Sequence, residues 1–485
     1  MSFENAFKRE ANFINGGWSA ADSGATVEVT NPATGETIGT IPHAGRAETA
    51  RAIESAHLAF QTWKKKTAEE RSTLMMKLAD EIMANIDELA VLLTTEMGKP
   101  LAEAKGEITG GAKYIRFFAE EAKRVYGDMI PSPWADRRIM VTKEPVGVVG
   151  AITPWNFPNS MIARKLGAAL AAGCTMVIKP SEFTPFSALA YGVLAEKVGI
   201  PKGVINVLTG EAKDIGEEMC ENPRVAKITF TGSTRVGKIL AGNAGKHMKK
   251  ISMELGGNAP FIVFDDADLD KAVEGAIASK FRNSGQTCVC ANRLYVQSGV
   301  YDAFAAKLAK AVEAQLKPGN GLEAGSTQGP LINAAAVTKV KDHLEDALAK
   351  GGKIITGGTA LNGPGTFFEP TVVTGAHQDM RVAREETFGP LAVLFRFETE
   401  EEVIDRANDT EYGLACYFYT KDLGRSFRVM EALEYGLVGV NEGVITTEVA
   451  PFGGVKESGM GNEGSKYGLD DYLTIKYACF GGLGI

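Results

Sequence analysis

The sequence predicts an α/β protein with a doubly wound parallel sheet, a second α/β domain and an extended β arm. The chain has 485 residues, roughly enough for three domains. From residue 146 onward, short apolar runs alternate with helical stretches, as in strand–helix units. Residues 128–143 instead contain two prolines and a short alternation of apolar and polar side chains, which is typical of extended chain.

The N-terminal part is predicted to be helical. Apolar residues recur at helical spacing over 46–95, which predicts two helices, and a third is expected over about 100–125. The segment 128–143 then forms an arm or hairpin. Because an extended arm exposes unpaired backbone groups, we expect another element or a second subunit to cover it.

The middle of the chain repeats strand–helix units. Wholly apolar runs indicate strands buried on both faces, and parallel sheets of this kind bind ligands at the carboxyl ends of their strands. The predicted strands are 146–152, 175–179, 205–210, 226–232 and 249–254, and the helices between them are 159–172, 185–199, a helix ending near 220 and one starting at 233.

Residues 260–440 repeat this style and predict the second α/β domain. The clearest strands are 261–264, 293–297, 353–358 and 391–397, and the clearest helices are 301–316 and 335–350. The last stretch, about 467–485, is short and apolar, so we expect it to dock on another element or subunit.

Composition excludes several classes of protein. The net charge of −8 argues against nucleic acid and anionic membrane as main partners. Six cysteines are too sparse for a disulfide framework, and neither a CxxC pair nor an HExxH motif is present, so no metal site is expected. We find no apolar leader and no apolar stretch near the ~18 residues that span a bilayer, so we expect a cytoplasmic location.

Two glycine motifs are rejected as nucleotide fingerprints. The GxGxxG match at 459–464 follows a loop and has no room for a βαβ unit. The near P-loop at 232–238 has Ile239 where magnesium needs Ser or Thr. However, Gly232 and Ser233 lie between a strand and a helix, where backbone N–H groups suit a phosphate. A plain strand–helix turn is an equal alternative.

Three polar residues are candidates for catalysis. Cys288 ends a polar loop, where a thiol can be exposed and its thiolate favoured by nearby amides, although most buried cysteines are inert. Glu254 ends an apolar run, and burial raises the pKa of a carboxyl group towards that of a general base; a surface glutamate is the commoner case. Asn156 lies between two prolines at a strand end, where its amide could stabilise an oxyanion or simply form a turn.

Together, seven motifs resemble the aldehyde dehydrogenase superfamily over essentially the whole chain, in its order and spacing. They are PWNFP (154–158), KPSE (179–182), FTGS (230–233), MELGGNAP (253–260), FRNSGQTC (281–288), EETFGP (385–390) and PFGG (451–454). The resemblance implies Cys288 as nucleophile, Glu254 as general base and Asn156 as oxyanion donor. It implies NAD or NADP as cofactor, contacted by Ile152, Trp155, Lys179, Glu182, Gly210, Gly232, Ser233, Leu255, Glu386 and Phe388.

Within the superfamily, the chain is most similar to succinate-semialdehyde dehydrogenases. This similarity implies that Arg164 and Arg282 bind the distal carboxylate of an aldehyde, although either could form a structural ion pair. Thr447 lies where these relatives usually carry serine, and its methyl group narrows the pocket. Glutarate semialdehyde, a betaine-aldehyde type substrate, or a catalytically silent structural protein remain alternatives.

Cofactor choice, redox behaviour and domain bounds complete the predictions. Glu182 would repel a 2′-phosphate whereas Lys179 would attract one, so we favour NAD and keep NADP open. Cys290 could form a reversible disulfide with Cys288, although a small packing cysteine is the commoner case.

We expect a homodimer or homotetramer. The predicted bounds are 1–127 and 144–257 for a nucleotide-binding domain, 258–466 for a catalytic domain, and 128–143 and 467–485 for an oligomerisation arm.

Overall fold

The computed structural model of the protein describes residues 3–483. Its N-terminal part consists of two short antiparallel strand pairs and four helices. The strand pairs were not predicted from the sequence. In chain order the elements are β1 (Asn12–Ile14), β2 (Gly17–Ser19), β3 (Thr26–Thr30), β4 (Thr37–Pro42), α1 (Arg46–Trp63), α2 (Ala68–Ala84), α3 (Ile86–Met97) and α4 (Leu101–Glu121).

Three helices, rather than the two predicted, occupy the region 46–95. The extra break lies at Asn85, whose backbone leaves the helical region (φ −117°, ψ 24°). Its side-chain amide donates to the Glu81 carbonyl at 2.8 Å, so one residue ends α2 and begins α3. Helical spacing of apolar residues continues across such a break, which is why periodicity did not reveal it.

The next part of the chain is a hairpin followed by alternating strands and helices. Each predicted strand and helix between 146 and 254 is present within a few residues of its expected bounds. The elements are β5 (Asp128–Ile130), β6 (Arg138–Pro145), β7 (Val148–Ile152), α5 (Ser160–Ala172), β8 (Thr175–Lys179), α6 (Phe186–Val198), β9 (Ile205–Val207), α7 (Ala212–Glu221), β10 (Val225–Thr231), α8 (Thr234–Gly245) and β11 (Lys250–Glu254).

The C-terminal half supplies the second set of strands and helices. These elements are β12 (Ala259–Val263), α9 (Leu269–Lys280), β13 (Ala291–Gln297), α10 (Tyr301–Gln315), α11 (Ala334–Ala349), β14 (Lys353–Thr356), β15 (Thr371–Ala376), α12 (Arg381–Arg384), β16 (Leu391–Phe397), α13 (Glu400–Asn408), β17 (Ala415–Tyr419), α14 (Leu423–Ala432), β18 (Leu437–Val440), β19 (Gly459–Met460), α15 (Ser465–Asp470) and β20 (Leu473–Phe480).

Two large sheets organise these elements. The first has the order β19-β11-β10-β7-β8-β9-β1-β2, and its five central strands are parallel. The second has the order β14-β15-β16-β13-β12-β17-β18, and every pair in it except β14 with β15 is parallel. Strands such as β8 and β12 are buried along their whole length because helices cover both faces. Two α/β units with parallel sheets are thus confirmed.

The hairpin strand β6 pairs antiparallel with β20 over eight residue pairs, from Leu473 opposite Pro145 to Phe480 opposite Arg138. The two segments assigned to the arm therefore form one three-stranded sheet, in the order β20-β6-β5. The assigned domain bounds stay a prediction. One segment within 258–466 lies in the first sheet, because β19 pairs with β11 and places Gly459 opposite Glu254.

Candidate active site

A cavity of about 370 Å³ lies where the carboxyl ends of β10 and β11 face the second α/β unit. The residues that line this cavity come from both α/β units and from distant parts of the chain. Eight residues predicted from the sequence are among them: Trp155, Asn156, Gly232, Ser233, Leu255, Cys288, Glu386 and Phe388. The structure therefore brings the candidate nucleophile and oxyanion donor together with most of the candidate cofactor contacts.

Four predicted cofactor contacts do not line this cavity. Ile152 ends β7 and packs against a buried cluster. Gly210 approaches the Ala44 backbone so closely that a Cβ atom would lie 2.0 Å from the Ala44 carbonyl oxygen. Lys179 is buried at the end of β8, with Nζ 3.3 Å from Oε2 of the half-exposed Glu182. Their cofactor roles stay predictions.

The sequence reasoning missed cavity residues contributed by the second unit. Asn333 and Lys339 lie at the start of α11, and Thr387 lies between the predicted Glu386 and Phe388. Helix α11 was predicted, but no local pattern shows that its N-terminal end faces β10 and β11, which lie far earlier in the chain. Only the packing of the two units reveals this.

The loop that carries Cys288 is held in an unusual backbone conformation. Asn283 (φ 52°), Ser284 (φ 56°) and Gly285 (φ 74°) all lie in the left-handed region, which is costly for the first two. Hydrogen bonds fix this conformation: Glu103 accepts the Asn283 N–H at 2.9 Å, and Ser284 Oγ donates to the Gly329 carbonyl at 2.7 Å. The loop is therefore fixed before any ligand binds.

The glycine pair after Glu254 allows the loop to approach. A Cβ atom on Gly257 would lie 2.6 Å from the Cys288 carbonyl oxygen, closer than real Cβ contacts. The Gly257 N–H also donates to Glu386 at 3.2 Å. The Gly257 backbone thus contacts both the loop that carries Cys288 and the carboxylate of Glu386.

The side chain of Asn156 is suited to donate to an oxyanion. The residue is 3% exposed, and its Nδ2 donates to the Gln286 carbonyl at 3.0 Å. A primary amide has two N–H groups, so one stays available after this bond. The Gln286 carbonyl thereby orients the amide toward the loop that ends at Cys288.

The surroundings of Cys288 favour the protonated form of its thiol. Burial, together with the nearby Glu386 carboxylate, raises the pKa of this thiol to about 12, while Arg164 acts in the opposite direction. The sequence led us to expect that loop amides would favour the thiolate, and that expectation stays a prediction; burial is the largest influence on the pKa of this thiol here. Attack by Cys288 therefore needs a base to take its proton.

Glu254 is a suitable base. Glu254 is 2% exposed, and both of its carboxyl oxygens lack a hydrogen-bond partner among the described residues. Burial, together with the charge of Glu463, raises its pKa well above the usual range, while Lys165 and Arg164 act in the opposite direction. Lys165 itself bridges Glu463 and Thr231 in the same buried cluster.

Glu386 is a third carboxylate of the cavity. Burial raises its pKa to about 7, and Lys339 and the Gly257 N–H act to lower it. Phe388 has φ 58° and packs edge-on against Trp155, with ring centroids 5.5 Å apart. This strained segment places a carboxylate and an aromatic ring in the lining of the same cavity.

A second cavity, of about 530 Å³, contains all three predicted substrate-binding residues, Arg164, Arg282 and Thr447. Phe157 and Ser160 line it, whereas their neighbours Asn156 and Met161 line the first cavity. The two cavities therefore lie on either side of one loop and the start of α5. This places a pocket that contains two arginines next to the thiol cavity; its lining also includes Lys113 and the acids Glu103, Glu107 and Glu448.

Aromatic rings, more than carboxylates, hold the two arginines. The guanidinium carbon of Arg164 lies 4.8 Å from the Tyr114 ring centroid and 4.7 Å from that of Phe452. Its nearest acid is Glu463 at 3.7 Å, and its Nε and Nη1 have no hydrogen-bond partner within residues 3–483. The guanidinium of Arg282 lies 5.0 Å from the Phe157 ring. Such stacking leaves N–H donors free for an anion.

Thr447 is less free than predicted. Its hydroxyl donates to the carboxylate of the adjacent Glu448 at 3.2 Å, and its carbonyl accepts from Tyr114 at 3.0 Å. The Glu448 carboxylate also lines the second cavity, so it opposes the positive field of the arginines. A direct contact of Thr447 with substrate stays a prediction.

Cys290 is buried. All six cysteines, including Cys290, are free thiols. Its sulfur lies 2.7 Å from Thr287 Oγ1 and 3.4 Å from the Lys280 carbonyl. A disulfide with Cys288 would have to break these contacts. The redox role of Cys290 therefore stays a hypothesis.

Within residues 3–483, no cluster of three or more His, Cys, Asp or Glu side chains could hold a metal ion. Over the same residues, no helix is long and apolar enough to cross a membrane.

Comparisons with known proteins agree with the fold and the motifs. The model of the aldehyde dehydrogenase family matches residues 18–478. A glutarate-semialdehyde dehydrogenase from Pseudomonas putida is 61% identical over 97% of this chain and 98% of its own. An NADP(+) succinate-semialdehyde dehydrogenase from Escherichia coli is 58% identical over 99% of each chain. The crystal structure of a succinate-semialdehyde dehydrogenase from Burkholderia pseudomallei is 61% identical, with a TM-score of 0.97 over 99% of each chain. The chain therefore belongs to the aldehyde dehydrogenase family.

Proposed function

We propose that this chain oxidises a semialdehyde with NAD or NADP, converting succinate semialdehyde to succinate. The observation that carries the proposal is the pair of stacked arginines, Arg164 and Arg282, in the cavity beside the thiol. Free guanidinium donors bind a carboxylate well, so an aldehyde with a distal carboxylate fits. The names of the relatives from Escherichia coli and Burkholderia pseudomallei support the same substrate.

The first step is attack on the aldehyde. Glu254 takes the thiol proton, and the Cys288 sulfur adds to the aldehyde carbon to form a thiohemiacetal. The free N–H of Asn156 donates to the oxygen that becomes negative. Because this amide is already oriented by the Gln286 carbonyl, no reorganisation is needed as charge develops.

The second step releases the acid. When bound, the oxidised dinucleotide supplies a hydride acceptor, and the sulfur is left as a thioester. Glu254 passes the thiol proton to solvent and then takes a proton from a water molecule that attacks the thioester carbon. The carbon–sulfur bond breaks, the carboxylic acid leaves, and Glu254 returns a proton to the sulfur to restore the thiol. The raised pKa of Glu254 makes its carboxylate a stronger proton acceptor than that of a solvent-exposed glutamate.

The first cavity fits a dinucleotide. Ser233 caps α8, accepting the Val236 N–H on its hydroxyl, so the first turn of this twelve-residue helix faces the cavity. A Cβ atom on Gly232 would lie 2.4 Å from the Phe230 ring, so only glycine leaves the turn open. We propose NAD as the preferred cofactor, because Glu182 would repel a 2′-phosphate. The adjacent Lys179 and the NADP(+) of the Escherichia coli relative favour the other choice.

Glutarate semialdehyde is the second candidate substrate. The relative from Pseudomonas putida carries that name, and a cavity of about 530 Å³ has space for one more methylene group. A betaine aldehyde is disfavoured because its cationic head would face Arg164 and Arg282. A silent structural protein is disfavoured because Cys288, Glu254 and Asn156 are all present.

The test is steady-state reduction of NAD and NADP with succinate semialdehyde, glutarate semialdehyde and betaine aldehyde. We expect Cys288→Ala to abolish activity with each aldehyde. We expect Arg282→Ala to raise KM for the preferred semialdehyde by about 10–100-fold, as expected for a lost charged hydrogen bond. Arg116→Ala removes an exposed arginine paired with Asp80 and serves as the matched control, with KM unchanged.

A preference for betaine aldehyde or a neutral aldehyde, with no effect of Arg282→Ala, would refute the substrate assignment but not the thiol chemistry. No reduction with any aldehyde would refute the enzymatic proposal. Whichever semialdehyde gives the higher kcat/KM decides between the two chain lengths.

We also propose a homodimer or homotetramer built on the arm. The last strand exposes Ile475 (74%) and Tyr477 (58%), and β5 exposes Met129 (67%), although all lie in a formed sheet. Apolar side chains at this density favour burial against another subunit. Light scattering after gel filtration measures the mass; a monomer would contradict this proposal.

A further inference from the structure

Lys99 is a buried cation that none of the sequence motifs includes. It follows Gly98, whose φ of 94° ends α3 and turns the chain inward. The residue is 1% exposed. Its ammonium donates to Glu107 Oε2 at 2.6 Å and to the Asn156 carbonyl at 2.7 Å. Burying an ammonium group is costly unless it is paired and hydrogen-bonded, so this placement requires an explanation.

Glu107 fixes the far end of the same loop. Its Oε1 accepts the backbone N–H groups of Asn159 at 2.9 Å and Ser160 at 3.1 Å, at the start of α5. The Lys99–Glu107 pair therefore connects the Asn156 carbonyl to the first turn of the helix. The prolines at 154 and 158 have no N–H of their own, so neither can anchor the loop through a backbone donor.

The Asn156 peptide is held from a second side by the nucleophile loop. Asn283 Nδ2 donates to the Asn156 carbonyl at 3.0 Å and to the Gln286 carbonyl at 3.2 Å. That same Gln286 carbonyl accepts from the Asn156 side chain. A rotation of the Asn156 peptide would thus carry its side-chain amide away from Gln286 and away from the Cys288 loop.

We propose that Lys99 is a positioning residue for the oxyanion donor: its ammonium holds the Asn156 peptide so that the Asn156 amide faces the aldehyde oxygen. This proposal rests on the oxyanion role given to Asn156 under the proposed function. Lys99 also lies 3.8 Å from the Phe157 ring centroid, on which Arg282 stacks. The ammonium therefore lies beneath both the oxyanion donor and the ring that supports a substrate arginine.

A double-mutant cycle tests whether Lys99 acts through Asn156. The four proteins are the wild type, Lys99→Met, Asn156→Ala and the double variant, compared by kcat/KM for succinate semialdehyde at saturating cofactor. Loss of an oxyanion donor costs on the order of 10²–10³-fold. A misplaced donor keeps part of its effect, so we expect Lys99→Met to cost about 10–100-fold in kcat/KM and to leave KM for the cofactor unchanged. In the Asn156→Ala background, we expect Lys99→Met to cost less than about threefold.

A purely structural ion pair predicts a different result. Lys99→Met leaves a buried Glu107 without its cation, which destabilises the fold. The variant Lys99→Met/Glu107→Gln removes that charge but keeps the oxygen that accepts from α5. We expect this variant to regain much of the lost thermal stability without regaining the rate.

Each outcome supports or overturns the proposal. Equal losses from Lys99→Met in both backgrounds overturn it, as does a wild-type rate in Lys99→Met/Glu107→Gln. If Asn156→Ala itself retains the wild-type rate, the oxyanion role fails and the Lys99 proposal fails with it. If the wild type is inactive with all three aldehydes, the proposed function fails, and the Lys99 proposal, which rests on it, is overturned with it. The same four proteins, compared by the rate of Cys288 alkylation, should then show no coupling between Lys99 and Asn156.

Discussion

Gly257→Ala tests how closely the two α/β units must meet at the thiol. The new methyl group would stand 2.6 Å from the Cys288 carbonyl oxygen, inside the 3.4 Å at which ordinary contact begins. The obstacle is backbone, which cannot rotate aside as a flexible side chain can. The loop that carries Cys288 must therefore shift by between several tenths of an ångström and about 1 Å.

The size of this shift sets the expected effect. Overpacking a well-filled interior costs about 1–3 kcal/mol of stability. A displacement of about 1 Å between reacting groups costs on the order of 10²-fold in rate. We therefore expect Gly257→Ala to lower kcat/KM for the semialdehyde about 100-fold while the protein remains folded.

The assay combines steady-state kinetics, thermal unfolding and the rate of Cys288 alkylation by iodoacetamide. Gly242→Ala is the matched control, because a Cβ atom there meets nothing within 4 Å. On a helix this exchange stabilises by roughly 0.5–1 kcal/mol, and the rate should not change. A wild-type kcat/KM in Gly257→Ala would refute the argument that close approach at residue 257 places the nucleophile.

Three further predictions concern other groups. Glu254→Gln should slow the first turnover of cofactor reduction as well as steady-state turnover, by about 10²–10⁴-fold and without a burst; wild-type turnover contradicts its role as base. Burial raises the pKa of Glu96 from 4.5 to about 8. The folded state thus binds more protons than the unfolded state in this window, and the free energy of unfolding falls as pH rises through it. Urea titrations should show a pH dependence that Glu96→Gln lacks. Reductant-reversible inactivation by peroxide should depend on Cys290; if Cys290→Ala shows it equally, the disulfide hypothesis fails.

The strand–helix order could be predicted because each parallel strand is buried on both faces and so appears as an uninterrupted apolar run. The run 175–179 became β8 with the same bounds. Breaks without apolar signatures, such as Asn85, were missed, as were the short strand pairs before α1. In those regions, hydrogen bonds from side chains and distant strands decide the conformation.

The candidate site divides in the same way. Motifs identified Cys288, Glu254 and Asn156 because thiol, carboxylate and amide chemistry belongs to the residue type. The electrostatics did not follow from the motifs, since the pKa of the Cys288 thiol rises to about 12 through burial that no local pattern shows. Lys99 was missed for the same reason, because its partners Glu107 and Asn156 are 8 and 57 residues away.

By itself, the sequence determined the two α/β units, the family resemblance and the types of reactive group. Those depend on local periodicity and on the chemistry of single side chains. Which groups share a cavity, which arginines keep free donors and which carboxylates lose their solvent followed from the packing of the folded chain. Burial and electrostatic coupling depend on distances between residues far apart in the chain, and the packing of the two sheets sets those distances.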